Sequence, residues 1–298
     1  MTSSFDIRSE TFAEILNEDS SVEHIATGFA FTEGPIWVNG YLLFSDIPNS
    51  RIVRYHVDEE GASVSTYKYP SGNSNGLTLD HDGNLIACEH TNRRVSMTDP
   101  SGNIKAVATR YKGKRLNSPN DVIVKSDGAI YFTDPTYGRM DVFGLLREQD
   151  LDFQGVYRID PNSGDLSLLA NDFQQPNGLT FSLDEQQLFV NDTDAGHIRV
   201  FEVAEDGSIS GGDVWAVPKG AGDGGCDGMK IDSEGNLYCT GPGGLHVYAS
   251  DATCLGVIEV PEVAANFTWG DDDLQAVYIT ASTSLYRTRV NIPGRKIS

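Results

Sequence analysis

The chain has 298 residues, with 43 Asp or Glu against 22 Lys or Arg, a formal charge of −21. Such an acidic surface repels phosphate backbones and anionic headgroups, so neither nucleic acid nor a membrane surface is an expected partner, whereas cations are not repelled. With 39% hydrophobic residues the composition is that of a folded globular protein, and no apolar run approaches the ~18 residues of a membrane helix.

The opening stretch, Met1 to Glu10, lacks the basic-then-apolar order of a secretory signal. Helical periodicity is found only over Glu10–Asn17 and Val142–Leu151. Nearly everything else reads as short β-rich runs between turn signals: Tyr41–Phe44, Leu85–Cys88, Ala129–Thr133, Gln187–Val190, Leu237–Cys239 and Ala276–Thr280. Four cysteines (Cys88, Cys226, Cys239 and Cys254) lie far apart without a CxxC pair, so neither a zinc knuckle nor a disulfide scaffold is indicated. The expectation is an all-β cytoplasmic protein with reduced thiols.

These strands repeat. Ser74-Asn-Gly-Leu-Thr-Leu-Asp-His-Asp-Gly-Asn-Leu-Ile86, Pro119-Asn-Asp-Val-Ile-Val-Lys-Ser-Asp-Gly-Ala-Ile-Tyr131 and Cys226-Asp-Gly-Met-Lys-Ile-Asp-Ser-Glu-Gly-Asn-Leu-Tyr238 share one pattern. A polar residue opens a strand, a Gly turn follows eight places later, and a second strand begins. Pro176–Phe189 is the same unit with one extra turn residue, and degenerate copies start at Glu33 and Asn266. The six leading residues are Glu33, Asn75, Asn120, Asn177, Asp227 and Asn266, spaced 42, 45, 57, 50 and 39 apart. That spacing is the period of propeller blades, and closing the sheets radially hides their edges. We read a single six-bladed β-propeller over residues 1–298, with an N-terminal extension at 1–20. Val22–Ala26 is expected to complete the blade that contains Val277–Arg287. The long third step is absorbed by an insertion, 138–154, read as a partly helical lid over one face.

First strands line the channel of a propeller, so the six leading residues should converge near its axis. Two carboxylates and four carboxamides suit a hard divalent cation, calcium first and magnesium or manganese after. The lack of Cys and His among them argues against a closed structural zinc site. Asn or Asp before Gly also opens strands simply by bonding its own backbone. Glu33 lacks that short reach, which favours a ligand role.

Phe31-Thr-Glu-Gly-Pro-Ile-Trp37, Asn117-Ser-Pro-Asn-Asp-Val122, Gln175-Pro-Asn-Gly-Leu179 and Asp227-Gly-Met229 together resemble the signatures of the gluconolactonase/regucalcin (senescence marker protein) family. Tyr131–Gly138 and Gly155–Asp160 resemble its bacterial sugar-lactonase branch. The resemblance implies one axial divalent metal, calcium first with magnesium, manganese, zinc or iron(II) as further candidates, and hydrolysis of an aldonolactone. It assigns the metal to Glu33, Asn120, Asn177 and Asp227, with Asp227 also the catalytic base. Where animal members carry an Arg that helps hold the sugar, this chain has Ser118. Asn75, His90, Asp134 and Tyr137 are the candidates for contacting substrate. The expected partner is a small sugar lactone, and the expected assembly a monomer or weak homo-oligomer.

A lactone is an ester, and its hydrolysis needs an activated water and a stabilised oxyanion. A metal can polarise the carbonyl while a carboxylate takes the water's proton. No Gly-x-Ser-x-Gly elbow is read in the chain, which disfavours a serine esterase. Two other readings stay open: a metal-dependent hydrolase of another ester or an organophosphate, and a non-catalytic calcium-binding or protein-binding propeller.

Overall fold

A unit of about 47 residues makes one four-stranded sheet, which cannot cover both of its own faces; stacking the units around an axis covers each face with the next sheet. The computed structural model, which describes residues 4–17 and 20–295, has six such sheets. The innermost strands are Thr32–Val38, Ser74–Leu79, Val122–Val124, Pro176–Phe181, Met229–Ile231 and Ala264–Gly270, each followed outward by antiparallel neighbours. Between every two adjacent blades lies one apolar layer. Ile36 and Leu43 meet Leu77 and Leu85 between blades one and two, and Phe132 and Tyr157 stack at 5.2 Å in the layer facing blade two.

The ring closes as its sequence predicts. Glu23–Thr27 pairs antiparallel with Ser284–Arg289, opposing Glu23 to Arg287 and Thr27 to Ser284. Phe5–Ile7 adds a fifth, outermost strand to blade five by pairing with Gly256–Ile258. The helix Glu10–Ile15 is capped by Ser9, whose side chain accepts from Phe12 N at 3.1 Å, and it buries Phe12 and Ile15 between blades five and six. All four cysteines are free thiols. No helix among the described residues is long and apolar enough to cross a membrane.

The second expected helix is absent. Residues 142–151 form turns and irregular backbone, and the insertion contains only a 3₁₀ turn at Tyr137–Arg139. Its carbonyls are taken by side chains rather than by backbone N–H groups four residues on. Phe143 O faces His90 Nδ1 at 3.0 Å, Arg147 O accepts from Arg139 Nε at 2.9 Å, and Leu145 O accepts from Arg147. Tertiary partners outbid a weak helical pattern that Gly144 already interrupts.

Two devices bring the leading residues to the axis. In blades one, two and four a register shift falls beside the leading residue, at Glu33/Ile36, Ser74/Leu77 and Pro176/Leu179. In blades three and five the inner strand starts only after it. The leading residue is thereby released from the ladder and its side chain re-aimed. The glycine that follows it lets the next blade approach: Gly76 N donates to Asn120 O at 2.7 Å, Gly178 N to Asp227 O at 3.1 Å, and Gly228 N to Ala265 O at 2.7 Å. A Cβ on Gly178 would fall on the Asp227 carbonyl oxygen. Gly178→Ala should therefore cost about 1–3 kcal/mol in urea unfolding through this overpacking. Gly225→Ala, where the nearest atom lies 3.5 Å away, should be nearly neutral. Equal effects would remove the blade-to-blade interlock.

Candidate functional site

All six leading residues lie at one end of the inner strands, and five are almost completely buried; Asp227 is partly exposed to the channel. Glu33 accepts from Gly34 N and, at 2.9 Å, from Asn266 Nδ2. The carboxyls of Glu33 and Asp227 are close enough to share a proton, and the Asn177 amide lies beside Asp227. Asn177 Nδ2 donates to Thr193 Oγ1 at 3.0 Å. Asn191 Nδ2 fixes the Asp227 backbone carbonyl at 2.6 Å.

Burial and mutual repulsion push both carboxyls up, Glu33 to about 7 and Asp227 well above its usual range. Asp121, buried beside them, adds to the repulsion on each. Two buried like charges at hydrogen-bonding distance need a proton or a cation between them. The donor set fits a hard cation: two carboxylates with the amides of Asn120 and Asn177, all oxygen. Among the described residues no three His, Cys, Asp or Glu side chains gather closely enough to hold an ion by themselves. Carboxamides would have to complete the shell.

The substrate candidates divide. Asn75 offers its Nδ2 to His90 Nε2 at 3.5 Å, while its buried Oδ1 has no partner. His90 is fully buried and pushed down to about 4 by that burial, so its ring is neutral. Tyr137 turns its hydroxyl toward Thr193 and Asp227, without a hydrogen-bond partner. Asp134 is turned elsewhere. Its two oxygens accept from Asn117 N and Ser118 N, both at 2.8 Å, anchoring the loop that carries Asn120. Asp192 does the same for Gln174 N and Gln175 N, ahead of Asn177.

The insertion packs against residues at this end of the inner strands. Phe143 packs edge-on against Phe31 at 5.0 Å, and Arg147 Nη2 donates to the carbonyls of His90 and Asn117 at 2.7 and 3.1 Å. Ser118 Oγ donates to Pro135 O at 2.7 Å and accepts from Gly138 N at 3.0 Å, so this serine ties down the root of the insertion. The Leu145-Leu146 pair points outward, Leu146 being 82% exposed. The other end of the channel is a cavity of about 570 Å³, lined by Ile36, Thr78, Ile123, Thr180, Lys230 and Trp269.

The expectation that the chain has no Gly-x-Ser-x-Gly spacing is corrected: Gly72-Asn-Ser-Asn-Gly76 has it. Ser74 opens a strand instead, fully buried with its Oγ 2.9 Å from Ser45 Oγ. It is no nucleophile. Two residues escape a reading based on leading positions, Asp121 and Lys230. The repeats themselves mark both: Asp121 stands where Gly34, Gly76, Gly178 and Gly228 follow their leading residues. Lys230 is the only charge among the cavity-lining residues three places after each leading position.

The SMP-30/Gluconolactonase/LRE-like region matches residues 31–283. A gluconolactonase of Zymomonas mobilis is 34% identical, covering 94% of this chain and 84% of that one. The solved structure of a gluconolactonase from Xanthomonas campestris superposes with a TM-score of 0.88 at 33% identity, over 96% of this chain and 94% of that one. A calcium-binding regucalcin from Agrobacterium tumefaciens shares the fold, with a TM-score of 0.73 at 17% identity over 99% and 98% of the two chains.

The raised carboxyls carry a pH signature. The folded pKa of Glu33, about 7, lies above its ordinary 4.5. Its contribution to stability is present below 4.5 and lost as pH rises through about 7. A divalent cation held between the two carboxyls would reverse that loss, and the gain in melting temperature on adding calcium would then grow between pH 5 and 8. Thermal unfolding with chelator and with millimolar calcium measures it. A gain independent of pH, or one that survives intact in Glu33→Gln, would place calcium elsewhere.

Proposed function

The chain belongs to the SMP-30/Gluconolactonase/LRE-like family, and we propose that it hydrolyses a sugar lactone to the open aldonate at the axial end of the channel beneath residues 137–147. The observation that carries this reading is the close Glu33–Asp227 pair, buried at Glu33 and partly exposed at Asp227, which has no structural use that two amides would not serve at lower electrostatic cost. The gluconolactonases to which the chain is similar over nearly its whole length support the substrate class. In this reading the chain is a single propeller domain, with 138–154 as a lid.

Glu33, Asn120, Asn177 and Asp227 would hold one divalent cation, calcium first. When bound, it supplies Lewis-acid polarisation of the lactone carbonyl and stabilises charge on its oxygen. The remaining chemistry belongs to the chain. Asp227 borders the open channel, whereas Glu33 is 2% exposed and tied to Gly34 N and Asn266. Asp227 is therefore the carboxylate that can reach a water.

Asp227 takes a proton as the water oxygen bonds to the carbonyl carbon. The ring C–O bond then breaks, and the proton passes to the departing alkoxide oxygen. The products are the hydroxyl-bearing aldonate and the proton of its new carboxyl group. No acyl-enzyme is formed. Asn75 Oδ1 and the Tyr137 hydroxyl, both without partners, are the groups available to sugar hydroxyls. His90, neutral and bonded between Asn75 and the Phe143 carbonyl, orients Asn75 and ties it to the lid.

Asp227→Asn keeps an oxygen and the side-chain size but removes the base. Lactone turnover should fall ~10²–10⁴-fold with cation binding partly retained, read as hydrolysis and metal content of one sample. Near-normal turnover at full occupancy would assign the base elsewhere. Replacing residues 140–146 by a short Gly-Ser turn spares the buried Leu151 and should raise KM or alter lactone preference. Unchanged kinetics over a lactone panel would deny the segment a covering role.

A further inference from the structure

Three places after each leading residue stands a second tier: Ile36, Thr78, Ile123, Thr180, Lys230 and Trp269. All six line the lower cavity. Five are uncharged, and the sixth is a lysine directed upward. Lys230 Nζ donates to Asn266 Oδ1 at 3.2 Å, and Asn266 Nδ2 in turn donates to Glu33 Oε2 at 2.9 Å. Phe267 N also donates to Asn266 Oδ1, at 2.8 Å, so the amide has one orientation. Gly228 makes room, since a Cβ there would fall on the Asn266 side chain.

The same ammonium faces a carboxylate outside the four-residue set. Burial pushes the Asp121 carboxyl up, and the Lys230 charge is the largest influence pulling it back. Asp121 takes no part in the Glu33–Asn266 bonding; it donates its charge alone to the axis, where it repels both Glu33 and Asp227. With all groups ionised, Glu33, Asp121 and Asp227 against Lys230 leave two net negative charges on the axis. A divalent cation neutralises that set and a trivalent one does not. A buried site in low dielectric is sensitive to such a residual charge.

We infer that Lys230 is the counter-charge that matches the axial site to divalent cations, through Asn266 and opposite Asp121. This rests on the cation reading given above. It assigns Lys230 a selectivity role for a bound ion, not contact with substrate.

The test compares calcium with terbium(III), two ions of similar size and different charge, by titration calorimetry at fixed ionic strength. Lys230→Met leaves three negative charges, and the terbium-to-calcium affinity ratio should rise roughly tenfold or more. Lys230→Met combined with Asp121→Asn returns the axis to two negative charges, and the ratio should fall back toward that of the natural protein. Asp121→Asn alone leaves one negative charge and should lower the ratio, which keeps the inference testable even if Lys230→Met fails to fold. A ratio within twofold of the natural protein's in the single variants would overturn the role of Lys230 while leaving the cation site standing. Failure of the natural protein to bind either ion would instead overturn the cation reading, and this inference with it.

Discussion

Two carboxylates, Glu33 and Asp227, are forced together at the axis by the closure of the ring. Burial pushes both carboxyls up, and the proximity of each to the other and to Asp121 adds to the effect. Around this cost the rest of the channel is organised. The bulges that release the leading residues, the glycines that let neighbouring blades touch, and the carboxylates of Asp134 and Asp192 beneath the loops all fix where the two groups meet. On the reading proposed here, the energy stored in that repulsion is released when a cation enters. Preorganised charge of this kind needs no rearrangement at the moment of reaction.

The two ends of the channel differ in chemistry because the inner strands differ along their length. At the leading end, polar residues face one another under the insertion, whose Phe143 and Arg147 lock it to Phe31, His90 and Asn117. Three residues further on, five of the six side chains are uncharged and all six line the lower cavity. Lys230 sits at the boundary.

Departures from the repeat are more informative here than the repeat. A blade needs an apolar inner strand and a tight turn. Gly83, Gly128 and Gly235 supply that turn with φ near +77, +87 and +90°, and Glu185 adopts the same left-handed region in the copy with the extra residue. None of this distinguishes one propeller from another. What does are the positions where one copy breaks rank: Glu33 among amides, Asp121 in place of glycine, Lys230 in place of an uncharged residue. Ser118 belongs with them, since its hydroxyl holds Gly138 and Pro135 where a longer basic side chain would have to pass.

The blade count and the six leading positions are determined by the sequence itself, because each is a local pattern repeated six times, and the closing pair of terminal strands follows from the need to complete the sixth sheet. Repetition averages away the ambiguity of any one short strand. Helix formation over 142–151 could not be read the same way, since that segment occurs once and its carbonyls are claimed by His90, by Arg139 and by its own Arg147. Nor could Asp134 be separated from Asp227 by residue type. One is turned to backbone N–H groups of its own blade, while the other opens on the channel. Only tertiary structure decides which carboxylates are turned to backbone amides of their own blade and which face another carboxylate, because that depends on distances across the axis between residues about 200 apart in the chain, Glu33 and Asp227.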